Sequence, residues 1–264
     1  MSPISAVVLG VIQGATEFLP VSSSGHLVLG QFLLGLREPD LFFDVFLHVA
    51  TLLVVLIVFR SEIVTLLSEV FTSLRSKDSL AVLKDTEFLK IAVATIPIAV
   101  AGVTARPFVE QLFANPKLVS LNLIITGCVL FASRFFEASN RVEDTISWRQ
   151  AILVGFFQAF ALAPGISRSG ITISVALMAG CSRKAAARFS FLLFIPAVAG
   201  AFLLESLHVD FGAQYIKSVV AGFLAAFVVG YVALVWLLRL IRSGFFHRFA
   251  YYCWLLGLVG LLFL

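Results

Sequence analysis

The sequence predicts an all-α fold: a polytopic membrane helix bundle with two re-entrant helical hairpins related by an inverted-topology repeat. Three observations lead there. The 264-residue chain is 60% hydrophobic and 13% charged, with a mean hydropathy of +1.05, whereas a soluble surface needs roughly 25% charged residues. The apolar residues form continuous runs, without the apolar/polar alternation of a transmembrane barrel. Two of the runs are broken midway by Pro/Gly/Ser clusters that resemble each other.

In chain order, the apolar segments 4–19 and 27–36 flank the first break, and 150–163 and 171–181 flank the second. None of the four is long and continuous enough to cross about 30 Å of hydrocarbon, which takes about 20 apolar residues. Each pair is therefore expected to form two half-helices that meet inside the membrane. The segments 41–59, 88–105, 117–133, 186–204, 216–241 and 249–264 supply the other helices. The N-terminus, MSPISAVVLGVIQ, has no basic region ahead of its apolar run and reads as part of the fold rather than a cleaved signal. The polar stretch 74–88 reads as a loop or a short surface helix, and Pro196 and Gly200 as a kink and a close helix contact. The whole chain, 1–264, is expected to be one integral membrane domain, with repeat one at about 1–133 and repeat two at about 145–264.

The net charge of +4 sits in a few loops, at 60–90, 134–149, 183–188 and 239–248. That pattern fits the positive-inside rule, and no basic face with interleaved aromatics points to nucleic acid. If those loops are cytoplasmic, the second hairpin enters from the cytoplasm and the first, with the N-terminus, from outside. A shift of 145 residues pairs Ala6 with Ala151, Gly10 with Gly155, Gln13 with Gln158, Ser22 with Ser167, Ser24 with Ser169 and Gly25 with Gly170. Internal similarity with opposite topology marks an inverted repeat, whose broken helices meet near the midplane at the binding site. Cys128, Cys181 and Cys253 have no paired spacing and read as small apolar fillers.

Polar groups at hydrocarbon depth mark function. Gln13 and Glu17, four apart, share one helix face and present an amide and a carboxylate oxygen, hard donors suited to Mg²⁺ or Ca²⁺ beside phosphate. The alternative is a hydrogen-bonded pair that holds helices together, with Glu17 orienting His26. Ser22, Ser23, Ser24 and His26 follow Pro20 across the break; a serine hydroxyl needs a neighbouring base, which His26 offers, while serines there also cap a half-helix. In the second break Ser167, Arg168, Ser169, Gly170 and Thr172 stand where a helix restarts. Free N–H groups and a guanidinium fork there make a phosphate site. Asp44, His48 and Thr51 are weaker candidates that line the pocket or brace the first hairpin. Gln158 is expected to bond across the pseudo-twofold.

At these residues the chain resembles the undecaprenyl-pyrophosphate phosphatase family, also called bacitracin-resistance proteins. The resemblance rests on QGATEFLPVSSSGH at 13–26, FDVFLHVATLLVVL at 43–56, PGISRSGITIS at 164–174 and FSFLLFIPA at 189–197. It implies hydrolysis of a C55 polyprenyl pyrophosphate to the monophosphate and inorganic phosphate, assisted by a divalent cation. It also implies a multi-pass protein of a bacterial cytoplasmic membrane, with its site open to the outside, that recycles a lipid carrier for cell-wall synthesis. By position, the family's acidic motif falls on Gln13 and Glu17, its serine and histidine on Ser23 and His26, and its phosphate-binding arginine on Arg168. Gln13 leaves Glu17 as the motif's only carboxylate. Nucleophilic attack is open between Ser23 and His26. The competing class is a transporter that carries a polyprenyl phosphate through the same pocket. The expected partners are the lipid substrate and the membrane, with no nucleic acid; small residues on several helices permit a homodimer.

Overall fold

The computed structural model describes residues 1–36, 41–75, 86–136, 145–206, 213–242 and 244–264. The described residues are almost entirely helical: α1 Pro3–Thr16, α2 Ser23–Leu33, α3 Leu41–Val58, α4 Arg60–Arg75, α5 Glu87–Thr104, α6 Arg106–Phe113, α7 Pro116–Ser133, α8 Trp148–Gln158, α9 Arg168–Met178, α10 Arg183–Ser206, α11 Ala213–Arg242 and α12 Phe249–Phe263. Five helical stretches, within 87–104, 116–133, 183–206, 216–241 and 246–263, are long and apolar enough to cross a membrane. Phe42–Val58 with Arg60–Arg75 is a sixth candidate, bent by 77°. The chain is thus a multi-pass helical membrane protein.

Both predicted breaks are present. α1 stops at Thr16 and α2 starts at Ser23; α8 stops at Gln158 and, after a 3-10 turn at Ala159–Leu162, α9 starts at Arg168. The helices flanking them, of 14, 11, 11 and 11 residues, rise only about 1.5 Å per residue and fall short of a full crossing. Two stretches differ from expectation. Residues 60–75 are a helix, not a loop, with Leu66 and Ser73 buried and Val64, Leu67, Phe71 and Leu74 exposed. Residues 106–113 are also helical, opened by Pro107, whose missing N–H costs nothing in a first turn. The loop positions Lys77, Lys84 and Arg141, and most of the 74–88 stretch, lie outside the described residues.

Small residues set the helix spacing. A Cβ on Gly10 would lie 2.2 Å from the Gly222 carbonyl oxygen, and one on Gly14 2.6 Å from that of Ala226, so α1 meets α11 backbone to backbone. The second broken pair does the same: a Cβ on Gly155 would lie 2.5 Å from the Ala94 oxygen, joining α8 to α5. In an aromatic core, Phe18, from the first break, meets Phe191 and Phe194 of α10 edge to face at 5.9 and 6.4 Å. The tips of the two breaks touch, since a Cβ on Gly25 would be 3.0 Å from the Gly165 Cα.

Candidate active site

The first break makes its geometry locally. The Glu17 N–H still reaches the Gln13 carbonyl at 2.9 Å, closing the last turn of α1, but Pro20 lacks a donor and cannot extend a helix. Ser22 then turns the chain with φ +66°, a conformation that strains any residue with a Cβ. Its Oγ accepts from the Gly25 N–H at 3.2 Å, which caps α2. Ser23, the first residue of α2, is thereby aimed back at α1: its hydroxyl donates to Glu17 Oε2 at 2.5 Å. Gln13 Nε2 donates to the same oxygen at 2.9 Å.

The second break is held from outside. Gly165 has φ +94°, and a Cβ there would lie 2.3 Å from the Val119 oxygen, so only glycine fits. From α7, Asn122 Nδ2 donates to the Pro164 carbonyl and Thr126 Oγ1 to that of Gly165, both at 2.8 Å; Thr126 Oγ1 also accepts the Ser167 N–H at 3.0 Å. Ser167 caps α9 by accepting the Gly170 N–H at 3.0 Å. Arg168, the first residue of α9, then donates through Nη2 to Glu17 Oε1 at 2.8 Å. Its guanidinium lies 3.9 Å above the Phe194 ring, a second favourable setting for a buried cation.

A third element completes the cluster. His48 of α3 puts Nε2 3.2 Å from Glu17 Oε2, while its Nδ1 donates to the Asp44 carbonyl at 2.7 Å. Glu17, Ser22, Ser23, Ser24, Asp44, His48, Ser167 and Arg168 all border one cavity of about 540 Å³. Its other walls are mostly apolar, with Ile98 and Val103 of α5, Phe113 of α6 and Leu204 of α10. Arg106 borders it too, paired with Glu110 at 2.9 Å and Glu205 at 3.2 Å. The arrangement offers an anchored hydroxyl, a carboxylate to take its proton, a guanidinium and two half-helix N-termini beside a greasy slot.

The structure therefore unites Gln13, Glu17, Ser23 and Arg168, with Ser22, Ser24 and Ser167 on the same cavity wall. His26 stands apart: its Nδ1 is 2.8 Å from the Ser22 carbonyl, its Nε2 2.7 Å from the Tyr252 hydroxyl, and it does not border the cavity. Ser169 donates to the Leu19 carbonyl at 3.2 Å and Gly170 packs against Ser167 and Pro20, so both serve the junction of the breaks. Thr172 bonds to the Arg168 carbonyl and the Ser190 hydroxyl, each at 2.7 Å, fixing α9 against α10. Gln158 is fully buried with neither amide atom bonded, so the bond expected across the pseudo-twofold is not made. Sequence reasoning missed Asn122 and Thr126, although their spacing of four in an apolar run is the one that drew attention to Gln13 and Glu17.

The donor set leaves two oxygens that a divalent cation could use. Gln13 Oε1 is buried without a hydrogen-bond partner. Glu17 Oε1 accepts only from Arg168 among the bonds around it, which leaves a lone pair. No cluster of three or more His, Cys, Asp or Glu ligands occurs among the described residues, so any such ion must share its shell with substrate and water.

The chain is 45% identical to the undecaprenyl-diphosphatase of Desulfosudis oleivorans, over 99% of this chain and 98% of that protein. It is 42% identical to the undecaprenyl-diphosphatase of Desulfatibacillum aliphaticivorans, over 96% of each. It is 39% identical to that of Methanobrevibacter smithii, over 98% of this chain and 96% of that one. The model of the bacitracin resistance protein family matches residues 6–259. With the match running nearly end to end and through both breaks, the chain belongs to the bacitracin resistance protein BacA family.

Proposed function

We propose that this protein is an integral membrane phosphatase that hydrolyses undecaprenyl pyrophosphate to undecaprenyl phosphate and inorganic phosphate, and so recycles the lipid carrier. The observation that carries the reading is the Ser23 hydroxyl 2.5 Å from one Glu17 oxygen while Arg168 holds the other. Relatives named undecaprenyl-diphosphatase, alike over nearly their whole length, support it. The transporter alternative rests on broken helices, with Arg168 and the half-helix N-termini as a phosphate site, and the relatives' names lend it no support.

The pyrophosphate enters the polar end of the cavity, and the first isoprene units lie along Ile98, Val103, Phe113 and Leu204. Arg168 and the free N–H groups that open α2 and α9 neutralise its oxygens. Ser23 Oγ attacks the terminal phosphorus and passes its proton to Glu17; the phosphoanhydride bond breaks, and Glu17 gives that proton to the departing lipid monophosphate. Water then attacks the phosphoserine and passes a proton to Glu17; as the bond from phosphorus to Ser23 Oγ breaks, Glu17 returns the proton to Oγ and inorganic phosphate leaves. Mg²⁺ or Ca²⁺, held by Glu17 Oε1 and Gln13 Oε1, would add positive charge on the pyrophosphate oxygens. The engagement of both His26 ring nitrogens, with the Ser22 carbonyl and the Tyr252 hydroxyl, supports Ser23 over His26 as the nucleophile.

The same proposal covers the architecture. The two broken pairs are re-entrant hairpins of an inverted repeat within one membrane domain, set in a bacterial cytoplasmic membrane with the site open to the outside. Matching caps support this: Ser22 and Ser167 each accept the N–H three residues on, from Gly25 and Gly170. Matching close contacts support it too, with α1 on α11 and α8 on α5.

The test is phosphate release from polyprenyl pyrophosphate by the detergent-purified protein, with and without chelator. Wild type is expected to turn over and to lose activity on chelation. Ser23→Ala and Glu17→Ala should lose roughly 10³-fold or more, as expected for a nucleophile and its base. No release by wild type, or near-full turnover by Ser23→Ala, would overturn the assignment. Gln13→Glu, which adds a carboxylate at the orphaned oxygen, should lower the cation concentration needed for half-maximal rate.

A further inference from the structure

The two oxygens of Glu17 have unequal surroundings. Oε1 meets Arg168 Nη2 at 2.8 Å, whereas Oε2 meets Ser23 at 2.5 Å, Gln13 at 2.9 Å and His48 at 3.2 Å. A guanidinium fork and a carboxylate pair best through two parallel bonds. Such a pairing here would turn Oε2 toward Arg168 and away from the Ser23 hydroxyl. It is not what the structure shows: Arg168 bonds Oε1 alone, and its Nη1 points instead to the Ser190 carbonyl at 3.5 Å.

Something must therefore hold Oε2. Gln13 sits one turn before Glu17 on the same helix end and moves with it. Ser23 is the reacting group. His48 is the remaining donor, and it belongs to a different element, α3. Its ring is fixed independently, since Nδ1–H donates to the Asp44 carbonyl at 2.7 Å, an acceptor that can only receive. Nε2 can then engage Oε2 only by donating to it, which makes the ring an imidazolium with both nitrogens carrying a proton. The anchor itself is braced, because Gln31 of α2 donates to Asp44 Oδ1 at 2.6 Å and ties α3 to the helix that begins with Ser23.

We propose that His48 is a positioning residue for the phosphoryl transfer: through Nε2 it keeps the Glu17 carboxylate turned toward the Ser23 hydroxyl against the pull of Arg168. The proposal rests on the phosphatase reading above. His48 acts through Glu17, so its loss should slow the chemical step while leaving substrate binding to Arg168 and the half-helix N-termini.

The experiment measures phosphate release from polyprenyl pyrophosphate by full-length wild type, His48→Leu and His48→Gln, alongside binding of a methylene-bridged polyprenyl bisphosphonate that cannot be cleaved. Glutamine keeps an N–H donor at a similar reach; leucine keeps volume and no donor. His48→Leu should lower kcat by roughly tenfold or more, with KM and analogue binding within about threefold of wild type. His48→Gln should recover kcat to within about threefold of wild type. Unchanged kcat in His48→Leu, equal losses in both variants, or lost analogue binding by His48→Leu would each overturn the proposal. Failure of the phosphatase reading is separate, because it shows as no release by wild type.

Discussion

Glu17 collects four donors from four places in the chain: Gln13 on its own helix, Ser23 across the break, His48 on α3 and Arg168 at the start of α9. With its side chain only 4% exposed, such a carboxylate needs this company, since removing one partner of a buried ion pair typically costs about 3–5 kcal/mol. The sequence made Gln13, Glu17 and Arg168 legible because charged and amide groups at hydrocarbon depth are rare. It did not show which histidine faces Glu17, because His26 and His48 stand in similar apolar surroundings. Orientation decided that. His26 donates from Nδ1 and from its backbone N–H to the Ser22 carbonyl, at 2.8 and 3.1 Å, and so clasps the strained turn that aims Ser23. His26→Asn, which places an amide donor near the Nδ1 position, should therefore retain clearly more phosphate release than His26→Ala, with the alanine variant down by about tenfold or more. Equal activity of the two variants would remove this role.

At the scale of elements, the breaks were readable from Pro20, Gly25, Pro164 and Gly165, residues whose backbones end or bend helices whatever surrounds them. What holds the breaks in place was not readable. The second break depends on α7, more than 30 residues away, where Thr126 serves both the Gly165 carbonyl and the Ser167 N–H. Thr126→Val keeps the shape but strands both backbone groups in a buried setting, at a cost of about 1–3 kcal/mol for each unsatisfied group. A thermal melt should shift downward, and turnover should fall with it, because Arg168 is the next residue after the cap. The helices α4 and α6 escaped prediction for a different reason. Their charged residues, Arg60, Glu62, Glu69, Arg75, Arg106 and Glu110, raise polarity to loop levels, while the helical spacing of their apolar residues is short.

For the whole molecule, the likeness of the two broken segments extends from sequence to contacts. The same cap and the same Ser–Ser approach at 3.2 and 3.3 Å recur at a shift of 145, and Gly10 and Gly155, also related by that shift, each press against the backbone of another helix. The halves are not copies, since Glu17 has Leu162 as its counterpart and Arg168 has Ser23. Each broken segment therefore supplies one sign of charge, and the candidate site forms where the two segments meet. The proposed re-entrant hairpins with opposed entry are testable in cells with Cys128, Cys181 and Cys253 replaced. An impermeant maleimide should label Ser2→Cys and Leu34→Cys from outside, and Thr145→Cys and Lys184→Cys only after permeabilisation. Labelling of all four from one side would defeat the inverted arrangement.

The sequence by itself determined that the chain is a helical membrane protein, where its helices break and which polar residues the membrane would not tolerate without purpose. These follow from local chemistry: hydropathy, the missing N–H of proline and the cost of burying charge. Only the tertiary structure decided that Glu17 faces Ser23, His48 and Arg168 at once, that His26 turns to Tyr252, and that Asn122 and Thr126 brace the second break. Those pairings depend on how separate helices rotate and pack against one another, which the glycine seams and the aromatic core around Phe18 set at a distance from the residues they align.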